Sequence, residues 1–289
     1  MKPPVVIDNE RKLEKLVNKL KKETLLGVDT ESDSYYSYQD RICIIQISTQ
    51  EEDYVVDNIA LKNIEALRTI FENRKIEKIF HDCTNDIAGL KADFGFHCKN
   101  IFDTAIAWRM ISGEHRGLAF LLEMHFGFYH NKKFQKWDWR RRPLQQEQLE
   151  YARIDTHFLI PLRNMLYSEL ESKGLLQKFK GSVKNLENLE KTPKRFNPNG
   201  YWRLKGAQNL DPKSLDVLKA LYRYRERTAE RLNKAAFRII NGETMIRLAR
   251  KKPKTLQEIK NLKGLPRHMK KQGAKDLLNI IKKATSEHN

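Results

Sequence analysis

Cysteine is scarce in this 289-residue chain, which has only Cys43, Cys83 and Cys98. An odd number without paired spacing argues against a disulfide framework and against a structural zinc site. Long apolar runs are missing as well. No stretch reaches the length that spans a bilayer, and Met1-Lys2-Pro3-Pro4 opens into a short mixed segment rather than a signal peptide. A soluble, cytoplasmic protein without a membrane partner is therefore expected. Internal repeats and long low-complexity tracts are absent too. What is present is 40% apolar residues, adequate for a folded core, in a length that suits one large domain or two ordinary ones.

Positive charge is abundant and unevenly placed. Residues 1–170 hold 25 Lys and Arg against 26 Asp and Glu, whereas residues 171–289 hold 30 against 11. A near-neutral first part thus precedes a strongly basic second part. Such a block favours a polyanion, most often nucleic acid, through counterion release. A merely solvated basic surface, or attraction to an acidic membrane, is the plainer reading. The basic residues are spread over helical patterns rather than gathered on one amphipathic anchor, which ranks nucleic acid above membrane.

Along the chain, Val5-Val6-Ile7 reads as a short strand, and Asp8 or Asn9 caps a helix with Leu13, Leu16, Val17 and Leu20 at helical spacing. Three strands follow, at Leu25 to Glu31, Ile42 to Ile47 and Tyr54 to Val56, and their short polar connections suit an antiparallel meander. Strands at Ile76 to Phe80 and Ile101-Phe102 then alternate with helices around Asp86 to Phe94 and Thr104 to Met110. That alternation implies parallel additions to the sheet. From Leu118 to about Leu170 the pattern is nearly all helical, interrupted by a loop at Phe128 to Pro143. The fold class expected is α/β, a mixed sheet with flanking helices, followed by a small all-α domain. The divisions expected are residues 1–175, a partly packed linker over 176–207 that contains Pro193, Pro198, Asn199 and Gly200, and residues 208–289. Asp211-Pro212 opens the main helix of the last part, with Pro at a tolerated first-turn position.

One stretch organises the rest. Leu25-Leu26-Gly27-Val28-Asp29-Thr30-Glu31 ends an apolar strand in two carboxylates. Alternate side chains share a face of a strand, so Asp29 and Glu31 point the same way. Either they are solvated at a strand end or they hold a cation. Asp86 lies just inside a helix after the strand that ends at Phe80-His81. Tyr151 and Asp155 are four apart and share one helical face. Hydrolysis of a phosphodiester with two divalent ions, Mg²⁺ or Mn²⁺, needs such a set of oxygen ligands. In a chain with 37 acidic residues, spacing alone does not separate this from surface charge.

The surrounding residues carry the specificity. Val28-Asp29-Thr30-Glu31 with Ile44-Ile45-Gln46-Ile47-Ser48, then Phe80-His81-Asp82-Cys83-Thr84-Asn85-Asp86-Ile87, then Tyr151-Ala152-Arg153-Ile154-Asp155-Thr156-His157-Phe158-Leu159 resemble the three motifs of the DEDDy 3′→5′ exonucleases. Phe102-Asp103-Thr104, Gly117-Leu118-Ala119, Lys132, Gln135, Asp138-Trp139 and Arg142-Pro143-Leu144 support the match over roughly residues 20–170. Within that group the chain is similar to the ribonuclease D family, leaning towards the nuclear-exosome-associated branch. The resemblance implies an RNase H-like fold. It also implies one metal on Asp29, Glu31 and Asp155, a second on Asp29 with Asp86, and Tyr151 positioning the nucleophilic water. Asp103 reads as a helix N-cap, and His81 and Asp82 as site-adjacent at best. The Trp139 and Arg142-Pro143 loop either lines the substrate groove or anchors the helix after it.

Tyr201 to Gly206, Leu218 to Ala229 and Leu248 to Ile259 resemble a helicase-and-RNase-D C-terminal (HRDC) domain, with Tyr224 where a Trp is usual. Arg223, Arg227, Lys251, Lys252, Lys270 and Lys271 are its candidate phosphate contacts. Taken together, the expectation is a metal-dependent 3′→5′ exoribonuclease acting on single-stranded RNA 3′ ends or tRNA precursors and releasing nucleoside 5′-monophosphates. The alternatives are a DNA exonuclease of the Werner type, weakened by the lack of any helicase phosphate-binding loop, and a non-catalytic nucleic-acid-binding scaffold.

Overall fold

The computed structural model describes residues 2–191 and 196–286, so Pro193 of the expected linker lies outside the described residues. One sheet of six strands carries the first unit, in the order β1-β4-β3-β2-β5-β6. The strands are β1 (Val5–Ile7), β2 (Leu25–Ser32), β3 (Ile42–Ser48), β4 (Asp53–Asp57), β5 (Glu77–Phe80) and β6 (Ile101–Asp103). β2, β3 and β4 form the antiparallel meander that their short connections imply. β1 joins β4, β5 joins β2 and β6 joins β5, all in parallel.

Ladder register sorts the side chains into two faces. Gly27 pairs with Ser48, Asp29 with Gln46 and Glu31 with Ile44, and across β4 Ser48 pairs with Asp53, Gln46 with Val55 and Ile44 with Asp57. Directly paired residues share a face. The opposite face presents Leu26, Val28, Ile45, Ile47, Tyr54 and Val56 to the main hydrophobic core. All seven residues of β3 are buried because both faces of the sheet are covered.

Among the described residues, eight helices belong to this unit: α1 (Glu10–Leu20), α2 (Arg68–Phe71), α3 (Thr84–Phe94), α4 (Thr104–Ser112), α5 (Leu118–Phe126), α6 (Gln146–His157), α7 (Leu159–Ser172) and α8 (Leu176–Lys184). Asn9 caps α1, its Oδ1 accepting from Lys12 N at 3.0 Å. α8 and the 3-10 turn Asn185–Asn188 occupy residues that the sequence reads as linker. Phe179, Val183 and Leu186 insert into the core at helical spacing, which is why the segment is ordered on this unit. The unit comprises residues 2–33 and 41–191.

α6 lies over the polar face of the meander. Ser48 Oγ donates to Asp53 Oδ1 at 2.7 Å and meets Thr156 Oγ1 at 2.6 Å. His157 Nδ1 stands 2.9 Å from Asp53 Oδ2, and Ala152 packs with Ile44 and Val55. This approach requires Gly27: a Cβ there would sit 2.7 Å from the Thr156 backbone oxygen and 3.2 Å from Leu159 Cβ.

The second unit is residues 34–40 with 196–286. Its helices are α9 (Pro212–Arg231), α10 (Ala236–Ile239), α11 (Gly242–Lys251), α12 (Leu256–Lys260) and α13 (Ala274–Ser286), the last preceded by a π turn at Met269–Gly273. Asp211 caps α9 by accepting from Ser214 N at 2.9 Å, and Pro212 takes the first turn. Leu218, Leu221, Met245, Leu248, Ile259, Leu277 and Ile281 build an independent core, which Tyr38 joins.

Gly27→Ala is expected to destabilise the protein by about 1–3 kcal/mol, the cost of forcing extra volume into a packed contact. Thermal unfolding of the variant checks it, and an unchanged melting temperature would contradict the close approach.

Candidate active site

The sheet and two helices bring the acidic candidates to one place. Asp29 and Glu31 project from the same face of β2, and a register irregularity between Glu31 and Ser32 ends the regular pairing there. α6 crosses that face with Tyr151 and Asp155 one turn apart. Asp86 enters from the first turn of α3. The turn before it is fixed by Asp103, whose carboxylate accepts from Cys83 N at 2.9 Å and from Ala105 N and Ile106 N at 2.9 and 3.0 Å. Asp103 is thus the N-cap of α4, as its sequence position suggests. His81 Nδ1 meets Thr104 Oγ1 at 2.9 Å and acts in the same turn, while Asp82 adopts φ +60° and stands 3.7 Å from His115.

The carboxylates repel one another. Burial raises the Asp29 carboxyl well above the ordinary range, and Asp86, Asp155 and Glu31 raise it further. Glu31 is raised by burial and then by Asp155 and Asp86; the Trp139 indole opposes this, although its N–H lacks a partner in full hydrogen-bond geometry. Burial pushes Asp86 up to about 6 despite a hydrogen bond from Thr30 Oγ1. Asp155 is raised by burial and lowered in part by His130, whose Nε2 is 2.9 Å from Oδ1. All four keep some solvent access, so they are half-buried rather than sealed in the core.

Such a set fits hard divalent cations: every donor is oxygen, and added positive charge relieves the repulsion. Beside Asp29 in the ladder, the buried amide of Gln46 has neither atom paired, leaving a polar group free for water at the site. The cage is not closed as it stands. Among the described residues no three His, Cys, Asp or Glu side chains converge tightly enough to hold an ion. Asp86 is turned to Thr30 and Asp155 to His130 instead.

Tyr151 sits in an aromatic sandwich. His130 stacks on it at 5.0 Å and 25°, Trp139 lies 6.1 Å away, and Phe134 meets its edge at 5.8 Å. Burial, and then Asp155, Glu31 and Asp29, push its phenol far up, so it stays protonated. The loop before α6 is anchored: Trp139 is buried, and Arg142 Nη2 holds Asp57 Oδ1 at 2.6 Å. His130 is the residue that sequence reasoning misses. It lies in a loop without periodicity, and a lone histidine there carries no signal.

The basic candidates do not gather. Arg223 and Arg227, with Tyr224 and Lys283, line a cleft of about 430 Å³ between α9 and α13. Lys251 and Lys252 end α11, where Lys252 pairs with Asp211 at 3.4 Å, and Lys270 and Lys271 lie in the π turn.

Residues 4–171 match the 3′-5′ exonuclease family, and residues 214–281 match the HRDC domain. The chain belongs to the 3′-5′ exonuclease family. It is similar to exosome complex exonuclease RRP6 of Saccharomyces cerevisiae, 32% identical over 297 residues that cover 97% of this chain and 40% of that protein. The chain therefore spans well under half of that relative. The catalytic core of RRP6 from Trypanosoma brucei superposes with a TM-score of 0.89 at 30% identity, over 99% of this chain and 80% of that one. Escherichia coli RNase D, an exoribonuclease involved in structured RNA processing, shares the fold with a TM-score of 0.71 at 24% identity, over 98% and 75%.

Carboxyls raised in the folded state contribute stability below their ordinary pKa, near 4, which is lost as pH rises through the raised values, about 6 for Asp86. Metal-free protein should thus melt progressively lower above about pH 4. Asp29→Asn should raise the metal-free melting temperature at pH 7.5 and change it little at pH 4. Equal effects at both values would contradict the clustering.

Proposed function

We propose that this protein is a 3′→5′ exoribonuclease that removes nucleoside 5′-monophosphates from single-stranded RNA 3′ ends, such as those of tRNA precursors or other stable RNAs. The observation that carries the reading is the convergence of Asp29, Glu31, Asp86 and Asp155 with Tyr151 over one sheet face. Asp29, Glu31 and Asp155 would hold one divalent ion, Mg²⁺ or Mn²⁺, and Asp29 with Asp86 a second. Bound there, the ions would supply an ionised water near neutral pH and neutralise charge on the leaving oxygen.

The chain's own groups do the positioning. Tyr151, kept protonated by burial and then by its carboxylate neighbours, acts as a hydrogen-bonding partner for the attacking water rather than as a base. Its stacked rings fix the hydroxyl relative to Asp155. Residues 208–289 hold the strand through backbone phosphates, with the Arg223 and Arg227 cleft as the contact of first choice. The RRP6 relative is by its name an exosome complex exonuclease, which supports RNA as the substrate and further protein subunits as partners. Three buried, unpaired cysteines suit a reducing, cytoplasmic setting, and among the described residues no helix is long and apolar enough to cross a membrane.

A time course with Mg²⁺ on matched RNA and DNA carrying 3′-hydroxyl ends tests the proposal. Wild type should shorten RNA from its 3′ end. Asp29→Asn should abolish digestion while leaving RNA binding in place, and Tyr151→Phe should lower kcat more than it changes KM. Full activity of Asp29→Asn would refute the site, and preference for DNA would refute the substrate.

A further inference from the structure

We propose that His130 is a positioning residue for the cation site, holding one oxygen of Asp155 so that the other is the one offered to metal. The inference rests on the reading of Asp155 as a ligand. His130 Nε2 lies 2.9 Å from Asp155 Oδ1, with the two side chains 7% and 14% exposed. With Asp155 ionised, as a metal ligand must be, its oxygen only accepts, so Nε2 carries the hydrogen. Oδ2 has no hydrogen-bond partner among the described residues. A carboxylate held through one oxygen has lost most of its torsional freedom, and its remaining lone pairs stay available.

The imidazole is itself fixed. It stacks on Tyr151 at 5.0 Å, so turning away from Asp155 would break that contact. The loop around it is pinned downstream by buried Phe134 and Trp139 and by the Arg142–Asp57 ion pair, and Asn131 Oδ1 accepts from Lys133 N at 3.0 Å. One side chain thus touches both Tyr151 and Asp155, and it comes from a segment outside the helix that carries them. Removing a group that orients a metal ligand typically weakens metal binding by about 10–100-fold.

Isothermal titration of the full chain with Mn²⁺ tests this without reference to turnover, using Asp155→Asn to define the site. His130→Phe keeps the stack on Tyr151 and removes the donor, and His130→Ala replaces it if the ring does not fit. Either should bind Mn²⁺ at the Asp155-dependent site about 10–100-fold more weakly. His130→Gln, whose amide nitrogen reaches about as far as Nε2, should bind close to wild type. Unchanged or tighter binding by His130→Phe and His130→Ala would overturn the proposal alone. A His130→Gln variant as weak as His130→Phe would also overturn it, since the donor would then not be what matters. Wild type without Asp155-dependent Mn²⁺ binding would overturn the metal reading, and this inference with it.

Discussion

Mutual repulsion among Asp29, Glu31, Asp86 and Asp155 is the constraint around which the first unit is built. Left to themselves, four half-buried carboxylates either take up protons or move apart. Here neighbouring contacts hold them in place. Gly27 lets the end of α6 approach β2 closely enough to set Asp155 near Asp29. The Ser48, Asp53, Thr156 and His157 hydrogen bonds fasten that helix to the sheet. Asp103 does the same for the turn that introduces Asp86. An enclosed cluster of like charge is costly to the apo fold, and it fits a protein that works with a bound cation.

Two partial neutralisations stand where full ones would be expected. Thr30 takes up Asp86, and His130 takes up Asp155. Both contacts lower the affected carboxyl, and burial outweighs both. The arrangement is therefore close to a cation site without being closed. The basic second unit keeps its own core. The two matched families thus fall on separately packed parts of the chain.

Much of this was legible in the residues. Alternation along β2 put Asp29 and Glu31 on one face, and the ladder register bears that out. The four-residue spacing put Tyr151 and Asp155 together, and α6 is a helix over both. The place of Asp103 between a strand and a helix marks it as a cap, and it caps α4. The failures have physical causes. α8 was hidden because Gly181 and several lysines dilute the Phe179, Val183 and Leu186 spacing, whose partners lie on distant elements. Residues 34–40 count with the second unit through Tyr38, a long-range packing event that no local pattern encodes. His130 reaches Asp155 across 25 positions from an aperiodic loop. Scattered lysines carry no local pattern that places them on one surface, whereas Arg223 and Arg227 share a cleft.

Anomalous scattering from crystals of the full chain grown with saturating Mn²⁺ tests the central claim most directly. The expected result is one Mn²⁺ among Asp29, Glu31 and Asp155 and a second beside Asp29 and Asp86. Ordered Mn²⁺ found only elsewhere on the chain, with the four carboxylates unchanged, would contradict it.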